Sequence, residues 1–247
     1  MTSKESLRAA VEHLYEVFGR YQFPDEPKYC THCVRDEEDK ALRSKPLRQL
    51  RAEDLARYSW KALSTWGTVE QFKHLLPRLF ELVITDQYRY NPEILFKKPR
   101  FGGLSTWPND EQEALNAYCD ALWRYALTRH PIGDALASFP SIDDCLCSIA
   151  HIVDDLSPLL EAWDSDKGQA ATLHLVDFAV ENASALREIR QLSNSFWSER
   201  RTQMQQVVNW FLARDFSLVF DVMDASATPH EFGEELNRAI VRRSVAR

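Results

Sequence analysis

A chain of 247 residues with 45% hydrophobic and 27% charged residues is too apolar for a disordered polymer and long enough to bury a core. Its net charge of −7 argues against non-specific nucleic-acid binding, and no run approaches the ~20 apolar residues that span a bilayer. Five cysteines are an odd number and too few to brace this length by disulfides, which with a charged N-terminus predicts a cytoplasmic protein with no membrane partner.

Seven glycines are fewer than half the usual share of ~7%, so a β-rich fold would lack its tight turns. Leucine and alanine dominate the apolar residues, and the expected class is all-α, a stack of nine or ten helices. Thr2 and Glu5 have capping-box spacing before a helix over Lys4–Phe18. A loop with two prolines covers 21–34, and helices follow over Asp36–Arg43, Glu53–Thr65 and Val69–Ile84. In the last of these Val69, Phe72, Leu76, Leu79 and Val83 form one stripe, with Pro77 inside it as a predicted kink. The segment 91–108, with its prolines and Gly102-Gly103, reads as an irregular connection and as the place for any subdivision of a single helical domain. Further helices are predicted over Asp110–Thr128, Ser141–Trp163 (with Ser157-Pro158 as a candidate break), Gly168–Leu192, Phe196–Leu212, Phe216–Met223 and Pro229–Val241. Thr228, Pro229 and Glu231 mark the start of the last one, and Arg238, Arg242, Arg243 and Arg247 complement its dipole. The seven tryptophans are read mainly as core residues.

One motif recurs. Leu63-Ser64-Thr65-Trp66 before Glu70-Gln71 reappears as Leu104-Ser105-Thr106-Trp107 before Glu111-Gln112, an offset of 41 residues with six of nine positions identical. Thr68 and Asn109 each stand three residues before a glutamine, as N-caps do. The offset and the helical hairpin over 53–84 resemble one unit of HEAT and armadillo repeats, and that resemblance implies a short α-solenoid; without it, the same helices make an irregular bundle.

Two constellations could carry chemistry. Cys30-Thr31-His32-Cys33 is half of a tetrahedral zinc site, or a redox dithiol, or a pair of idle thiols. Between His130 and Asp166 stand eight acids and no lysine or arginine. On a continuous helix over Ser141–Leu160, Ile142, Leu146, Ile149, Val153, Leu156 and Leu160 share one face, and Asp144, Cys147, His151, Asp154 and Asp155 share the other. An outward face carrying Asp143, Asp144, His151, Asp154 and Asp155 suits a protein partner with a basic surface. The expected function is therefore non-enzymatic protein binding, as an inhibitor, an immunity-type protein or an adaptor. The alternative is a metal-dependent hydrolase, with ligands among Cys147, His151 and Asp154 and a contribution from His174-x-x-Asp177. No phosphate-cradling glycine loop, G-x-S-x-G or H-E-x-x-H occurs.

Overall fold

In the computed structural model, which describes residues 1–23, 26–85 and 91–213, several helices begin where side chains satisfy orphan backbone donors. The Thr2 hydroxyl accepts from the Glu5 amide, and the Glu5 carboxylate accepts from the Thr2 amide at 2.7 Å, which starts α1 (Ser3–Phe18). Helices α2 (Asp36–Arg43), α3 (Ala52–Lys61) and α4 (Val69–Val83) follow, and α4 continues through Pro77. The predicted irregular segment is largely helical: α5 (Pro92–Phe96) and α6 (Lys98–Phe101) precede a 3₁₀ turn at Leu104–Thr106. Asn91 caps α5 with Pro92 at its first position, the arrangement in which proline costs no hydrogen bond.

Helix α7 (Asn109–Leu127) leads to α8 (Ile142–Ala150) and α9 (Ser157–Ser165), the second starting at the candidate break Ser157-Pro158 and the first ending well before it. The long α10 (Gln169–Ile189), a 3₁₀ turn at Ser195–Glu199 and α11 (Arg201–Leu212) complete the described chain. Both helices predicted beyond Leu212, and the C-terminal arginines, lie outside the described residues. The fold is all-α; among the described residues β structure amounts to isolated bridges, and no helix is long and apolar enough to cross a membrane.

Packing joins elements distant in sequence. Helix α1 lies against α7 and α4, and α5 lies against α8. In a solenoid each unit touches its sequence neighbours; the pairing of α1 with α7 instead joins helices about a hundred residues apart. One apolar core runs from Leu7 to Phe211. Trp66, Trp107, Trp123, Trp163 and Trp197 are buried in it, whereas Trp60 is exposed.

The two copies of the repeated motif start their helices differently. Gly67 takes φ +85° and lets Thr68 turn back to accept from the Gln71 amide. The equivalent residue, Pro108, cannot adopt positive φ. It becomes the N-cap itself, so Asn109 is the first helical residue and not the cap. Gln112 instead donates to the Trp107 carbonyl at 2.7 Å.

Candidate functional site

The acidic segment does not form one outward face. Ser141 starts α8 through a capping box whose acid is Asp144: the Asp144 carboxylate accepts from the Ser141 amide at 3.0 Å and from its hydroxyl at 2.9 Å. Asp143 points the other way and is fully buried, with the Trp197 Nε1–H donating to its Oδ1 at 3.0 Å and Oδ2 unpartnered. Glu93 of α5 and Glu181 of α10 flank the same end, and the Asn194 amide bridges Glu93 and Asp144 at 2.8 Å each. Burial pushes the Asp143 carboxyl well up; the Trp197 hydrogen bond opposes this, and the charges of Glu181, Asp144 and Glu93 add to it. Burial also raises Glu93 and Glu181.

The reason is that α8 is covered by α5, α7 and α10, so eight of its nine residues are buried. Cys145, Cys147, Ser148 and Ala150 place small or apolar groups around the whole helix, the pattern of a helix without a solvent face. His151 is buried too, its Nε2 unpartnered, and burial lowers its pKa to about 4. Asp143 and His151 are thus corrected from surface to interior.

At the other end α8 stops after Ala150, because two arginines take its carbonyls. Arg200 donates from Nε to the Ala150 oxygen at 2.6 Å and Arg100 from Nε to the His151 oxygen at 3.1 Å. The Nη2 groups of Arg100 and Arg200 converge on Asp154 Oδ1 at 2.8 and 2.5 Å. Cations at a helix C-terminus meet its negative dipole end and satisfy carbonyls that lack intrahelical partners. Partial burial would raise the Asp154 carboxyl, but the Arg200 hydrogen bond and the charges of Arg100 and Arg200 outweigh it and hold it low. Asp154 is therefore neutralised, and only Asp155 of the predicted set is an exposed carboxylate without an ion pair among the described residues.

Asp155 stands at a groove between α7 and α9. Gln112, Asn116 and Asp120 form one wall, Asp154 and Asp155 the other, around a cleft of about 420 Å³. A second cleft of about 590 Å³ continues past Pro158 to Glu161 and Asp166. Both wall cations are engaged: Arg100 as above, and Arg124 with Asp120 at 2.9 Å.

The Cys30–Cys33 segment is a single turn, with the Cys33 and Val34 amides donating to the Cys30 carbonyl at 2.9 and 3.0 Å. It is pinned to the first copy of the repeat by the Cys30 amide on the Thr65 carbonyl and the Gly67 amide on the Lys28 carbonyl. Among the described residues no third donor joins the two thiols, so they stand as a pair and not as a closed zinc site. The His32 amide and the Cys33 thiol, with Lys61 nearby, lower the exposed Cys30 thiol, whereas burial pushes Cys119, Cys145 and Cys147 up.

The expected cluster of Cys147, His151 and Asp154 does not assemble. Three donor atoms do converge elsewhere, on His130, His174 and Asp177. His174 and Asp177 were legible as a helical i,i+3 pair; His130 was not, because it arrives from the segment after α7. No family model matches the chain, and neither the curated proteins nor the solved structures contain a significant match to it.

Proposed function

We propose that this protein binds another protein, taking a basic segment of the partner into the groove between α7 and α9. The observation that carries the reading is the balance of charge along the groove. Asp155, Glu161 and Asp166 carry no ion pair among the described residues, while Arg100 and Arg124 are already held by Asp154 and Asp120. A lysine or arginine side chain entering there would meet carboxylates without displacing an internal cation, which favours fast, salt-sensitive association. An inhibitor of a basic protein or an adaptor subunit would use such a surface in the same way. Of the face read from the sequence, Asp155 stays in this proposal; Asp143, Asp144 and His151 leave it because they serve the interior and the start of α8.

Fluorescence anisotropy with a labelled lysine-rich peptide provides the test. Binding is expected at low salt, weakening steadily as salt rises, and falling at least ~10-fold when Asp155 and Glu161 are replaced together by lysine. The same variant should keep its helical circular dichroism, since both residues are exposed. Binding that ignores the double replacement, or no binding at any ionic strength, sinks the proposal.

A further inference from the structure

His174 is an interior histidine with a reason to be oriented. It is 1% exposed on α10, and its Nε2 lies 2.5 Å from the Arg129 carbonyl oxygen and 3.2 Å from that of Ala126. Carbonyls only accept, so Nε2 carries the hydrogen, and the lone pair left for any other partner is on Nδ1. This is the outer support that metal-ligating histidines usually have, in which a carbonyl fixes the tautomer and the plane of the ring.

Asp177 sits one turn further along α10, on the same face. His130, beyond the end of α7, meets it with Nε2 at 2.6 Å from Oδ2. The two imidazole rings lie 5.0 Å apart and steeply inclined, at 67°. One ligand atom from each of the three side chains lies within 4.8 Å of the others.

We propose that His130, His174 and Asp177 bind one divalent transition-metal ion of the zinc class. Two imidazoles and a carboxylate on two packed elements are a donor set suited to zinc, and three protein ligands leave a position for water. Bonds of ~2.0–2.2 Å in a tetrahedron place donors roughly 3.4 Å apart. Binding therefore opens the His130–Asp177 pair from 2.6 Å and draws in donors that lie no more than 4.8 Å apart, side-chain movements on the order of 1 Å that are open to Asp177, whose side chain is 57% exposed. The ion would replace the direct contact between His130 Nε2 and Asp177 Oδ2. His130 also lines a polar cleft of about 400 Å³ with Lys4, Tyr125 and Arg129, so the position left to water is within reach of solvent. The site is independent of the groove between α7 and α9, and its failure would leave the protein-binding reading untouched.

The full chain with Cys30→Ser and Cys33→Ser, which removes competition from the thiols, is titrated with zinc by calorimetry and with cobalt by visible absorption. One equivalent is expected to bind, with the intense absorption of low-coordinate cobalt. His130→Asn and Asp177→Asn, at positions outside the core, should each weaken zinc binding at least ~10-fold while the melting temperature without metal stays close to the parent's. Zinc should raise the melting temperature of the parent and not of the variants. Absence of saturable binding near one equivalent overturns the assignment, as does binding unaffected by both replacements.

Discussion

The two ends of α8 carry neighbouring carboxylates of one acidic run and treat them in opposite ways. At the N-terminal end Asp143 is sealed under Trp197 with Glu93, Asp144 and Glu181 nearby, and burial pushes its carboxyl up. At the C-terminal end Asp154 is 72% exposed yet bridged by Arg100 and Arg200, which hold its carboxyl down. Spacing along the chain does not decide the state of an acid here. The N-terminal end lies beneath α5, α10 and the Asn194 loop, which bring carboxylates and amides; the C-terminal end lies beside α6 and the start of α11, which bring guanidinium groups.

The largest effect should come from removing the cover at the N-terminal end. Trp197→Ala empties a fully buried ring position and deprives Asp143 of its donor, and should cost ~3–5 kcal/mol in urea unfolding. Next comes Arg200→Ala at the other end. It strips the Ala150 carbonyl and one partner of Asp154 from a side chain only 11% exposed. A loss of ~2–3 kcal/mol is expected, and one near zero would show that the two-arginine clamp does not hold the end of α8.

The pH dependence sharpens the contrast. Asp143, Glu93 and Glu181 have folded pKa values raised above those of the unfolded chain. Their stabilising contribution is whole below the ordinary carboxylate range of ~4 and falls away as pH rises through the folded values. Asp154, whose pKa is lowered, contributes above that range and loses its contribution as pH falls. Asp143→Asn should therefore flatten the decline in stability as pH rises above ~4 and leave the acid limb as it is. An unchanged slope above pH ~4 would mean that Asp143 does not set it. The smallest effect belongs to Asp154→Asn, ~1 kcal/mol or less and shrinking with added salt, because that carboxylate faces water.

Helix starts were legible wherever their chemistry is local. Thr2 with Glu5 and Thr68 with Gln71 are caps in the structure as in the sequence, and α2 keeps its predicted bounds. Asn109 was misread because the glycine of the first copy is replaced by Pro108, a one-residue difference that shifts the cap. A break in the acidic helix was legible at Ser157-Pro158, where α9 begins, but its extent back to Ala150 was not. Its cause is Arg100 and Arg200, which reach Asp154 from 54 and 46 residues away. The pair His174 and Asp177 could be read from its spacing, but its partner His130 stands 47 residues before Asp177.

By itself the sequence determined the all-α class, the apolar stripes and most helix boundaries, since these follow from interactions within a few residues along the chain. Only the tertiary structure decided which acids became interior, which were neutralised and which were left facing a groove. Burial and ion pairing depend on what other helices bring to the same place, and a carboxylate carries no local mark of the neighbour it will meet.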